Sequence, residues 1–162
     1  MSYPDKISPD FSQRNALSGV DSWLSERWSP RSFVKTDIAD NDVETLFDAA
    51  RWAPSCFNDQ PWQFHVRKQF DQNGKPNPYA EFDAGAAWMA LSLQVRKMGL
   101  YTHGMGGIKH DEVASYLKLD DNHKVICGIA IGVADEPSAL PDDIAKREKP
   151  SPHKPLADVL IR

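Results

Sequence analysis

Apolar residues recur along this chain with two periods, and the period sets the elements that the chain predicts. Val43, Leu46, Phe47 and Ala50 return at helical spacing; Asn41 can cap that run with Glu44 three residues on, and Ala53-Pro54 should end it. A shorter helix is predicted over roughly 18–27, with Val20, Trp23 and Leu24 on one face and Ser29-Pro30 as its stop. From about Glu81 to Met98 the chain is alanine-rich and apolar on overlapping faces through Ala84, Ala87, Trp88, Leu91 and Val95, with Gly99 placed to terminate the helix. A helix apolar on more than one side is buried on more than one side, either as the centre of a domain or as core and subunit interface at once. A further short helix is expected near His110 to Leu117.

Period two appears in Trp62-Gln63-Phe64-His65-Val66, which suits a strand with one covered face. The stretch from Lys124 to Val133, apolar from Val125 onward, reads as a central strand covered on both faces. Between these strands, the run from Gln69 to Tyr79 is turn chemistry and predicts a surface loop. Residues 1–17 are polar, contain Pro4 and Pro9, and read as a loosely held arm. The tail over 135–162, rich in proline and charge, reads as an extended arm that needs another surface to lie on.

Composition narrows the class. A chain of 162 residues with 41% hydrophobic and 26% charged content is expected to form one domain with its own core. The formal charge is -4 and the lysines and arginines are dispersed, so no footprint for nucleic acid is present. No stretch reaches the ~20 apolar residues that span a bilayer, and Met1 to Lys6 lacks the apolar core of a signal peptide, so a soluble cytoplasmic protein is expected. Cys56 and Cys127 fit no metal or redox spacing and are expected to be reduced thiols.

Three local patterns could carry chemistry. In Arg27-Trp28-Ser29-Pro30-Arg31, two guanidinium groups and a hydroxyl surround a forced bend, the donor set a phosphate monoester requires. Arginines beside a helix end also fit a solvated, dipole-compensating role. In the run from Ala53 to Trp62, Pro54 and Pro61 hold a corner containing Ser55, Cys56, Asn58 and Gln60, small polar groups suited to the edge of a planar heterocycle. In His103-Gly104-Met105-Gly106-Gly107, missing side chains would let backbone N–H groups approach a ligand face, although a plain loop explains the glycines equally. No strand followed by G-x-G-x-x-G opens a helix here, so this is not the dinucleotide fingerprint.

Together these patterns resemble the nitroreductase family. Arg-Trp-Ser-Pro-Arg, the helix ending Ala-Arg-Trp-Ala-Pro-Ser-x-x-Asn-x-Gln-Pro-Trp-x-Phe, the Asp83-Ala84-Gly85-Ala86-Ala87 helix, the Met105-Gly106-Gly107 turn, Ile129 to Gly132 and Lys154-Pro155-Leu156 occur in the family's order. The resemblance implies an α+β fold, with a central, mostly antiparallel sheet flanked by helices in an intertwined homodimer. It implies FMN at the subunit interface. Arg27, Trp28, Ser29 and Arg31 would hold its phosphate and ribityl end, with Lys154 adding a phosphate contact. Pro54, Ser55, Cys56 and Asn58 would come from the partner subunit with Gln60 supporting their loop, and Met105, Gly106 and Gly107 would form the turn beside N5.

One segment of the family pattern is missing. Where relatives insert a helical stretch and a strand after the Trp62–Val66 counterpart, this chain passes from His65-Val66 straight to Arg67-Lys68. The implied activity is hydride transfer from NADH or NADPH through FMN to an electron-poor acceptor such as a nitroaromatic or quinone. The alternative is a flavin-binding or degenerate scaffold that has lost turnover with the missing segment. No side-chain acid is required, because the flavin carries the redox step. His103 is near enough to the glycine turn to be considered as a proton donor, and otherwise reads as a loop histidine.

Overall fold

The computed structural model describes Tyr3, residues 5–53 and 78–155, Asp158, and the backbone of 62–63 and 65–66. Five α-helices lie within these residues: α1 (Ser22–Ser25), α2 (Asp40–Arg51), α3 (Ala80–Lys97), α4 (His110–Tyr116) and α5 (Asp142–Ala145). Four strands pair as two antiparallel couples, β1 (Trp62–Gln63) with β2 (His65–Val66), and β3 (Tyr101–Met105) with β4 (Gly128–Gly132). Helix and antiparallel sheet are thus mixed, as the α+β expectation required.

The core forms where α2 crosses α3. Leu46 and Ala50 meet Leu91, Val95 and Met98, and Leu100 and Val133 close the cluster from the sheet side. Truncating such a residue removes its contacts and leaves a cavity, at a cost of about 2–5 kcal/mol for leucine to alanine. Beyond it, Trp28, Tyr101 and Ala134 form a second cluster, with Ile7, Phe11 and Phe33 packed against them.

Helix α3 ends as its sequence demands. Gly99 adopts φ +86, and the Leu100 N–H closes back on the Val95 carbonyl at 3.0 Å. A side chain at Gly99 would be excluded twice, since a Cβ there would also sit 1.6 Å from the Tyr3 carbonyl oxygen. Along α3, Ala87, Leu91 and Val95 are buried, whereas Phe82, Trp88 and Met89 are exposed.

Several boundaries differ from the sequence reading. The first helix shrinks from the expected 18–27 to the single turn α1, because the Asp21 carboxylate caps it at the Trp23 N–H and none of its residues is buried to extend it. Helix α2 is capped by Ala39 rather than Asn41, whose carbonyl instead accepts from the Thr45 hydroxyl at 2.8 Å. Asp40 and Asp42 then supply the negative charge that a helix N-terminus favours. The expected single strand at 62–66 is a pair, with Trp62 opposite Val66 and Gln63 opposite His65. Period-two alternation leaves the partner unspecified, so it could not separate these arrangements. Strand β4 is shorter than expected and mostly half-buried, because among the described residues only β3 pairs with it.

Described residues of both terminal segments are tied to the rest of the chain. The Tyr3 N–H donates to the Met98 carbonyl at 3.1 Å, the Tyr3 hydroxyl donates to Asp42 at 2.7 Å, and Asp5 pairs with Arg96 at 3.2 Å. On the other side of Asp135, a short 3-10 turn (Pro137–Ala139) and α5 fold the tail back toward the Arg27–Arg31 bend. Proline and charge read as an extended arm in sequence, but over 136–149 the backbone closes local turns of its own, and the Ser32 hydroxyl ties the segment to the bend by donating to the Glu136 carbonyl at 2.9 Å. The loop expected from Gln69 to Tyr79 lies mostly outside the described residues, which resume at Pro78-Tyr79 in a turn.

Candidate functional site

The Arg27–Arg31 bend is built onto the sheet by the residues that follow it. Phe33 bridges Ala134 antiparallel, the Val34 N–H donates to the Val133 carbonyl at 2.7 Å, and the Asp135 N–H donates to the Ser32 carbonyl at 2.9 Å. Pro30 is fully buried at the turn. Because Pro30 has no N–H to donate and its ring clashes with the preceding turn, the two arginines cannot be wound into one helix.

Within the bend the side chains divide. Arg27 is partly buried, its Nη1 donates to the Ser29 hydroxyl at 3.2 Å, and desolvation holds its guanidinium below its ordinary pKa. Among the described residues no carboxylate lies within ion-pair distance of Arg27. Arg31 is exposed but is paired with Glu148 at 3.2 Å. Trp28 turns inward, edge-on to Tyr101 with ring centroids 6.2 Å apart. The Trp28 side chain therefore belongs to the core.

Arg14, which the sequence reading left in a loose arm, joins this bend. Its Nη1 donates to the Ser25 carbonyl at 2.8 Å and to the Arg27 carbonyl at 2.6 Å. Desolvation first, and then the neighbouring Arg27 charge, lower the Arg14 pKa. Arg14 also lines a cleft of about 480 Å³ together with Leu24, Ser25, His153 and Lys154. Lys154 thus reaches the same side of α1 as Arg14, while Arg27, Ser29 and Arg31 lie outside that cleft's lining. No local sequence signal marks Arg14, because its partners are backbone carbonyls brought near only by folding.

The expected glycine turn starts later than predicted. His103, Gly104 and Met105 are the second half of β3, paired with Ala130, Ile129 and Gly128, and the chain bends only at Gly106. At Gly104 the Trp88 ring lies so close that an added Cβ would sit 2.8 Å from it, so this strand position takes glycine for close packing rather than for a turn. At Gly106 and Gly107 a Cβ would meet nothing within 4 Å, so the space over this turn is open. The half-buried His103 ring bridges the two constellations, its Nδ1 lying 3.1 Å from the Ser29 carbonyl oxygen. A carbonyl only accepts, so Nδ1 is the donor in this contact. Pro54, Ser55, Cys56, Asn58 and Gln60 lie outside the described residues. Cys127 is a free thiol one position before β4, its pKa raised by burial.

The model of the nitroreductase family matches residues 24–69 and 65–133. The chain belongs to the nitroreductase family. The two matched stretches meet at 65–69, where the sequence passes directly from Val66 to Arg67 and the expected segment is missing. Among solved structures, an oxidoreductase containing FMN is 34% identical over 96% of this chain and 96% of its own, with a TM-score of 0.86. A nitroreductase family protein from Streptococcus pneumoniae TIGR4 is 16% identical, over 87% of this chain and 98% of its own, with a TM-score of 0.70. The FMN and NADPH-dependent nitroreductase NfnB from Sphigopyxis sp. strain HMH is 17% identical, over 87% of this chain and 97% of its own, with a TM-score of 0.69. These two share the nitroreductase fold with this chain. No functionally curated protein matches its sequence. Among the described residues, no helix is long and apolar enough to cross a membrane.

Proposed function

We propose that this nitroreductase-family chain is an FMN-dependent oxidoreductase that takes reducing equivalents from NADH or NADPH and delivers them to an electron-poor acceptor such as a nitroaromatic or quinone. The observation that carries this reading is the pair Arg14 and Arg27. Both guanidinium groups are partly desolvated and sit close enough for one charge to depress the pKa of the other, and Arg27 has no carboxylate partner among the described residues. Uncompensated cations at a rigid bend suit a dianionic phosphate.

The residues present fit the cofactor. Arg27, Ser29 and Arg31 would hold the phosphate, Lys154 would add a contact from the cleft it shares with Arg14, and Trp28 would contribute by anchoring the bend in the core. The space a Cβ would occupy at Gly106 and Gly107 is open, so the backbone donors of Met105, Gly106 and Gly107 would be free to lie along the edge of a planar ring. Pro54, Ser55, Cys56, Asn58 and Gln60 would be contributed by the partner subunit of a homodimer. Bound FMN would supply the redox chemistry, its N5 accepting and releasing hydride. His103 would hold the phosphate bend and the glycine turn at a fixed separation through its contact with the Ser29 carbonyl. That a relative 34% identical over 96% of this chain is an oxidoreductase containing FMN supports flavin binding here.

The test is spectroscopic. The purified protein should carry or take up FMN, and NADPH should bleach the flavin band under anaerobic conditions. Replacing Arg27 with alanine should weaken FMN binding by roughly 1.5–3 kcal/mol, the worth of a charge-assisted hydrogen bond. A protein that cannot be reconstituted with FMN would identify a degenerate scaffold instead.

A further inference from the structure

Glu148 lies far from the bend in sequence and against it in space. Its side chain is 1% exposed. One carboxylate oxygen, Oε1, accepts from the backbone N–H of Arg31 and from that of Ser32, the latter at 3.0 Å. The other, Oε2, lies 3.2 Å from Arg31 Nη1. The carboxylate is brought there by the turn that follows α5, where the Glu148 N–H donates to the Ala145 carbonyl at 3.1 Å.

Burying a carboxylate is unfavourable unless its oxygens are satisfied, and here both are, entirely by Arg31 and the residue after it. Two consequences follow. The amides of Arg31 and Ser32, which point out of a bend and could otherwise receive an anion, are already taken by the chain's own carboxylate. An incoming phosphate at this bend must therefore be held by donors other than these two amides. In addition, among the described residues Glu148 is the only acceptor of the Arg31 guanidinium, whose side chain is otherwise 39% exposed. A free arginine samples many rotamers, whereas one tethered through Nη1 presents its remaining donors in a narrow range of directions.

We propose that Glu148 is a positioning residue for phosphate recognition: it closes the backbone amides of the bend and aims the Arg31 guanidinium at the phosphate. This rests on the flavin reading above. Its signature is selective, because riboflavin is FMN without the phosphate. Losing the tether should weaken FMN and leave riboflavin alone, whereas a general loss of structure would weaken both.

The experiment titrates both flavins into the full-length apoprotein and follows flavin fluorescence. In Glu148→Gln, the amide oxygen can still accept from the backbone but its NH2 group faces Arg31, so the guanidinium is released. FMN affinity should fall about tenfold, the scale of a lost charge-assisted hydrogen bond, while riboflavin affinity stays within about twofold. Glu148→Asp, one methylene shorter and milder for folding, should show a smaller loss in the same direction. In an Arg31→Met background, Glu148→Gln should no longer alter the ratio of the two affinities. Equal loss of both flavins, an unchanged ratio, or tighter FMN binding in Glu148→Gln would each overturn the role of Glu148, the last by showing that the carboxylate competes with the phosphate. A wild-type protein that does not prefer FMN to riboflavin would overturn the flavin reading itself, and this proposal with it.

Discussion

His103 Nδ1 and the Ser29 carbonyl oxygen, 3.1 Å apart, join the arginine bend to the strand that leads into the glycine turn. This contact sets the distance between the residues proposed for the phosphate and those proposed for the ring. Replacing His103 with phenylalanine keeps the half-buried volume and leaves the Ser29 carbonyl without its donor. A loss of roughly 1 kcal/mol in stability is expected, measured as a lower urea midpoint with unchanged slope. An unshifted midpoint would show that the contact contributes nothing.

Gly99 should tolerate no side chain. Alanine there meets both an unfavourable φ of +86 and the Tyr3 carbonyl, so the N-terminal segment would have to leave its seat on Met98. The expected cost is about 2–4 kcal/mol, above the ~1 kcal/mol of the backbone strain alone. Thermal unfolding of Gly99→Ala beside a chain lacking residues 1–4 separates the two contributions. The substitution should cost less in the shortened chain.

Tyr101 gives the stability a pH dependence at the alkaline end. Burial is the main cause that pushes its hydroxyl from 10.0 up to about 12, partly opposed by the Arg96 guanidinium, which lies 4.2 Å from the ring centroid. The folded protein holds this proton more tightly than the unfolded chain. The stabilisation is therefore complete below pH 10 and is lost as pH rises from 10 through about 12. Denaturation midpoints measured across that window should fall in the wild type and fall less in Tyr101→Phe. Parallel curves would assign the effect to other groups.

The exposed apolar face of α3 bears on assembly. Phe82 and Met89 are 78% and 46% exposed in the single chain. If this face meets a second copy, the double variant Phe82→Asp, Met89→Asp should sediment as a monomer and lose FMN together with the dimer, because the Pro54–Gln60 corner would no longer be supplied across the interface. A variant that stays dimeric would place the interface elsewhere.

Much of the candidate site was legible from spacing alone. Arg27, Ser29 and Arg31 are fixed around Pro30 by a proline whose effect on the backbone is local, and the termination of α3 at Gly99 follows from one residue's access to positive φ. Where a property is set within a few residues, the sequence contains it. Register and partner are set by packing, which is why β1 and β2 could not be told from one strand and why His103 to Met105 read as a turn until the Trp88 ring was found against Gly104.

The sequence by itself determined the family, the helical and apolar segments, and the cation-bearing bend, because each depends on residue type and near neighbours. Only the tertiary structure decided that Arg14 and Glu148 belong to that bend. Arg14 binds two backbone carbonyls, and Glu148 crosses 117 positions of sequence to reach Arg31. Pairings of this kind leave no trace in local pattern, since the energy that selects them exists only once the intervening core has closed.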